Sequence, residues 1–218
     1  MRWYPSWGDV YTKLTYPKTF WFLAALTGCL VILSILVRAR ATLNFDLRVT
    51  RALQTHHHPV TNALASAFTW LGNSLTLVLL AAGVAITCVI AKQPAAAVFT
   101  LLSLLALPIN TILKNTFDRQ RPGEDEVRVF PGPRWGHSYP SGHSMGSAAL
   151  YAFVGFLFWV HVPDATIRYS LLGIFFVLPA LISLSRIYLG AHWLSDVVGG
   201  ITGGMLVAVA LAALYPVG

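Results

Sequence analysis

Apolar residues gather along the chain into runs at Phe20 to Val37, Ser74 to Ala91, Ala95 to Leu113, Gly142 to Val160, Ile167 to Leu184 and Trp193 to Leu214. Each approaches the roughly 20 residues that carry a helix across a bilayer core. The pattern predicts an all-α polytopic membrane protein with six transmembrane helices, organised as a single domain over residues 1–218. Between the first two runs, Phe45, Val49, Ala52 and Leu53 recur at helical spacing while Arg48 and Arg51 fall elsewhere, which predicts a short helix lying in the membrane interface. Val60 to Asn73 reads as a second. The first apolar run follows a long aromatic-rich leader and exceeds the about 7 to 15 residues of a signal-peptide core, so it is expected to stay as an anchor. One long polar connection, Asn115 to Pro140, is rich in Gly, Pro and charge, and such connections are usually functional or disordered.

Composition supports the membrane class, with 56% hydrophobic and only 11% charged residues in a chain of 218. No nucleic-acid partner is expected for this chain of net charge +7; Arg38, Arg40, Arg48 and Arg51 suit an anionic lipid surface. Cys29 and Cys88 lie in different apolar runs and read as free thiols packed as small hydrophobes. The tract His56 to His58 invites a metal reading, but consecutive helical side chains diverge and no acidic or Cys partner is near, so a solvated tract is the better reading. Glu124 to Glu126 reads as a solvated loop face.

The polar residues of the second half fall into an order. Lys114 closes the third span, and Arg121 and Pro122 follow in KNTFDRQRP; Ser141, Gly142 and His143 open the fourth; Ser185 and Arg186 close the fifth; His192 and Asp196 open the sixth. The fourth and fifth spans are of similar length, so a chain that leaves one face at Ser141 regains it at Arg186. All these residues therefore share one face, where ionisable groups at helix ends are functional candidates. Singly, Lys114 reads as a snorkelling lysine, Ser141 as an N-cap, Arg186 as an interfacial anchor, and His192 with Asp196 as a hydrogen bond one turn apart. Gly199, Gly200, Gly203 and Gly204 read as a close-packing surface. Together the polar residues describe a phosphate pocket. Lys114, Arg121 and Arg186 supply cations, Ser141 and Gly142 a helix N-terminus with free N–H groups, and two histidines can divide nucleophilic attack from proton transfer.

At KNTFDRQRP, PSGH and SRIYLGAHWLSD the chain resembles the type 2 phosphatidic acid phosphatase superfamily, whose members include bacterial lipid phosphatases, glucose-6-phosphatase and vanadium haloperoxidases. The motifs cover Lys114 to Asp196 without a departure at any signature position. The resemblance implies a lipid phosphatase, with His192 as the nucleophile, Asp196 as its orienting partner and His143 as general acid. It assigns phosphate binding to Lys114, Arg121, Ser141, Gly142 and Arg186. No metal or other cofactor is required, and the expected partners are a membrane lipid phosphate and the bilayer. Transfer to a second lipid on the same site, or anion binding and transport, stay open. The positive-inside rule assigns the more basic face, that of the site, to the cytoplasm. Similarity to bacterial lipid phosphatases implies the reverse. The expectation adopted is an inner-membrane protein with both termini in the cytoplasm and an extracytoplasmic site.

Overall fold

The computed structural model describes residues 7–55, 58–132, 134 and 136–216, with side chains from Lys18 onward. Its described residues form nine α-helices and no strand: α1 (Trp7–Arg38), α2 (Leu43–Leu53), α3 (Pro59–Leu71), α4 (Ser74–Ile90), α5 (Pro94–Leu102), α6 (Ala106–Phe117), α7 (Gly142–His161), α8 (Ala165–Tyr188) and α9 (Leu194–Leu214). The 3₁₀ turn Ser103–Leu105 joins α5 to α6, so Pro94 to Phe117 forms one apolar crossing of 24 residues. Pro108 accounts for that turn, because it lacks an N–H and its ring crowds the carbonyl of Leu104. Five helices are long and apolar enough to cross a membrane. The pair α3 and α4, bent by 57°, is together long and apolar enough for a sixth crossing. The expected all-helical membrane architecture is thus present, with the second span preceded by a helix set at an angle to it.

Helix α7 is the hub. It packs against α9, α8, α6 and α4, and every residue from Ser144 to Gly155 is buried. The glycines of α9 make its closest approach possible: a Cβ on Gly200 would meet the Ser141 carbonyl oxygen at 2.5 Å, and one on Gly203 the Met145 side chain at 3.3 Å. At one end, Phe99, Phe153, Phe156 and Tyr215 pack ring against ring, and Tyr215 Oη meets His161 Nε2 at 2.9 Å. The other end carries α2, α3 and the long connection after α6.

That connection is held in place by hydrogen bonds. Gln54 donates to the carbonyls of Arg128 and Tyr188 and accepts from the Arg128 N–H, Phe130 N–H donates to Leu189, and Ser138 N–H to Arg119. Helix α2 is the short helix expected between the first two apolar runs. Its buried positions are Asp46 and Thr50, which face α8 and α9, while Phe45 is 56% exposed. Its polar residues turn inward because they have partners there; its aromatic ring is left for the surroundings. His56 and His57 of the histidine tract lie outside the described residues, while His58 caps α3 by accepting from Val60 N–H at 3.2 Å.

Candidate active site

Four helix termini meet at the end that carries α2 and α3. Lys114 stands in the last turn of α6, Ser141 caps α7, Arg186 lies in the last turn of α8, and His192 precedes α9. A cavity of about 630 Å³ opens among them, lined by Lys114, Arg121, Gly142, His143, Arg186 and His192. Ser141 and Asp196 are fully buried behind this wall. All eight residues singled out in the sequence therefore belong to one locality, six on the cavity surface and two supporting it.

His192 is only 1% exposed. Its Nε2 lies 3.1 Å from Arg121 Nη1, and because a guanidinium can only donate, that nitrogen carries a lone pair. The imidazole proton then sits on Nδ1, which lies 3.4 Å from Ser138 Oγ and 3.5 Å from Asp196 Oδ2. Burial, reinforced by the charges of Arg121, Arg186 and Lys114, holds the proton affinity of His192 well below its ordinary range. It is a neutral imidazole with its free nitrogen turned toward the cations.

Side chains and carbonyls help to fix the arginines. Arg121 donates from Nε to the Gly136 carbonyl at 3.0 Å and from Nη1 to that of Ala191 at 2.8 Å. Burial is the main cause of its lowered pKa, which Asp196 opposes and the nearby Arg134 reinforces. Arg186, 2% exposed, donates to Thr69 Oγ1 at 2.6 Å, so α3 helps to aim it. His143 lines the same cavity, and its Nε2 is buried without a hydrogen-bond partner among the described residues. Ser141 Oγ accepts from Ser144 Oγ at 3.0 Å, serving as an N-cap, and its N–H donates to the Asp196 carbonyl at 2.9 Å. Gly142 is confined by Asn110, whose Oδ1 a Cβ would meet at 3.0 Å and whose amide donates to the Pro140 carbonyl. Among the described residues no three His, Cys, Asp or Glu side chains gather to hold a metal.

Sequence reasoning missed the layer beneath. Asp196 Oδ2 accepts from Ser138 Oγ and, at 2.9 Å, from Trp193 N–H, while Oδ1 accepts from Arg119 Nη1 at 2.6 Å. The other nitrogen of that guanidinium, Nη2, reaches Asp46 Oδ2 at 2.7 Å. Asp46 also accepts from Ser195 N–H at 2.9 Å and from Ser195 Oγ at 2.6 Å. The one sequence signal was an acidic residue on α2 with a threonine one turn later, on the face opposite the arginines.

Comparison with known proteins finds relatives in sequence and in fold. The chain is 33% identical over 99 residues to phosphatidylglycerophosphatase B of Bacillus subtilis (strain 168), a match covering 45% of this chain and 47% of that protein. The match thus spans about half the length of that relative. The fold superimposes on the crystal structure of a transmembrane PAP2-type phosphatidylglycerolphosphate phosphatase from Bacillus subtilis with a TM-score of 0.79 at 25% identity, covering 87% of this chain and 93% of the other. It also matches LpxE of Aquifex aeolicus in fold, with a TM-score of 0.56 at 24% identity over 76% of this chain and 93% of that one. The PAP2 superfamily model matches residues 94–217, from the start of α5 to the end of α9, and the chain belongs to that superfamily.

Proposed function

We propose that the protein is a phosphatase of membrane lipids that works through a phosphohistidine on His192. The observation that carries this reading is the single cavity in which a neutral imidazole with a free Nε2, a second imidazole with an unpartnered nitrogen, and three cations face one another. The Nε2 lone pair of His192 attacks phosphorus, an N–P bond forms and the ester P–O bond breaks. His143 gives its proton to the departing oxygen. Water then attacks phosphorus, losing its proton to His143, and the N–P bond breaks to release phosphate and restore His192. Lys114, Arg121, Arg186 and the N–H groups at the start of α7 bind the phosphoryl oxygens and stabilise the charge of the transition state.

A lipid substrate is supported by the apolar part of the cavity wall, which includes Leu107 and Pro108 of α6, and by the exposed Ile109 and Ile112 on the same helix. Phosphatidylglycerophosphate is the first substrate to test, given the Bacillus relatives, with phosphatidic acid and undecaprenyl diphosphate beside it. Purified protein in mixed micelles should release inorganic phosphate from at least one of them, and His192→Ala should abolish that release. An acid-labile phosphoenzyme that persists in His192→Ala overturns the assignment of the nucleophile. Vanadate, a mimic of the five-coordinate transition state, should inhibit.

A further inference from the structure

The cavity explains which groups meet the phosphate; it leaves unexplained why a carboxylate on the interfacial helix α2 is buried as completely as the one beside the catalytic histidine. Asp46 and Asp196 are both 0% exposed. Removing a carboxylate from water is costly unless a cation and hydrogen bonds accompany it, and a single side chain serves both. Arg119 spends one nitrogen on each, at 2.6 and 2.7 Å, and Nη1 also donates to Ser195 Oγ at 2.7 Å. A planar guanidinium clamped at two corners has a fixed position, and so has the carboxylate it grips. Asp196 Oδ1 is held in this way, which leaves Oδ2 aimed at Ser138 and the Nδ1 edge of His192.

We infer that Arg119 and Asp46 are positioning residues of the reaction, acting through Asp196 to present Nε2 of His192 to phosphorus. This deepens the proposed function and rests on it. The ordering runs from α2 through the connection after α6 to the first turn of α9, so the interfacial helix forms part of the catalytic apparatus. Neither residue reaches the cavity itself: the wall there is made by Arg121, Lys114, Arg186 and the two histidines. Their loss should therefore act on turnover and spare substrate binding.

The test is a set of kinetic cycles on the full-length protein in mixed micelles. Arg119→Gln together with Asp46→Asn removes one charge of each sign, so that the local net charge is unchanged. This variant should lose about 10 to 100-fold in kcat, by analogy with the outer-shell partners that orient metal-ligating imidazoles, with KM within about threefold. In an Asp196→Asn background the same two changes should add almost nothing, because groups acting through one intermediary are not additive. Arg119→Lys, which keeps the charge but cannot clamp two carboxylates, should show the same split and serves if the neutral pair does not fold. Unchanged kcat, a loss confined to KM, or an undiminished loss in the Asp196→Asn background overturns the inference while leaving the proposed mechanism intact. Full activity of Asp196→Asn by itself would likewise overturn the inference alone, whereas phosphate release that survives in His192→Ala would overturn the mechanism on which it rests.

Discussion

Arg186 and Arg168 sit near opposite ends of α8, and only Arg186 lines the cavity; Arg168 lies over the Trp159 ring at 4.6 Å. Arg186→Lys should therefore cut kcat/KM by at least about 10-fold, since an ammonium cannot grip two phosphoryl oxygens in one plane. Arg168→Lys should leave it within about twofold, being a surface change away from the site. Steady-state assays on one lipid phosphate compare the two directly. The histidines should separate by leaving group. A lipid alkoxide needs a proton to depart, so His143→Ala should lose much of the roughly 10² to 10⁴-fold of general acid catalysis on a lipid, yet far less on an aryl phosphate. His192→Ala should lose both alike. Acidity tests His192 in another way. Its proton affinity is lowered in the folded protein by burial and by neighbouring cations, so the unfolded chain takes up the proton first as pH falls. The stability it contributes is complete above its ordinary value of 6.5 and is lost as pH drops below that. The unfolding midpoint should fall between about pH 7.5 and 5.5, and less steeply in His192→Asn.

Among the elements, α9 shows how a local pattern acquires catalytic meaning. Its glycines read in the sequence as a packing face, and Gly200 turns out to lie against the very residues that begin α7, Ser141 and Ser144. Gly200→Ala should push the phosphate-binding end of α7 away, costing about 1 to 3 kcal/mol through overpacking and lowering kcat/KM as well. A Cβ on Gly83, mid-helix in α4, meets nothing within 4 Å, so Gly83→Ala should be neutral or stabilise by up to about 1 kcal/mol. Thermal unfolding in detergent and phosphate release measure both. In helix α2 the period was legible, but the buried partner of Asp46 was not. Beside a bilayer Phe45 gains nothing by turning inward, whereas Asp46 must find Arg119.

For the whole molecule the decisive quantity is which termini share a face. Cysteine labelling in the 124–128 loop and in the 161–166 turn should report opposite sides of the membrane, and an extracytoplasmic position for the first would agree with the adopted orientation over the positive-inside count. Activity should persist in EDTA, because side chains and helix N-terminal amides supply the positive charge. The sequence by itself determined the membrane class and the all-helical architecture, and brought Lys114, Arg121, Ser141, Gly142, His143, Arg186, His192 and Asp196 to one end of the helices. It did so because run length, helical rise and chain order are local or additive properties. Only the tertiary structure decided that α3 meets α4 at an angle, that Thr69 aims Arg186, and that Asp46 is tied to Asp196 by Arg119. The last two join residues more than 70 positions apart, where no period or spacing connects them and only the energetic demand of a buried charge for a partner brings them together.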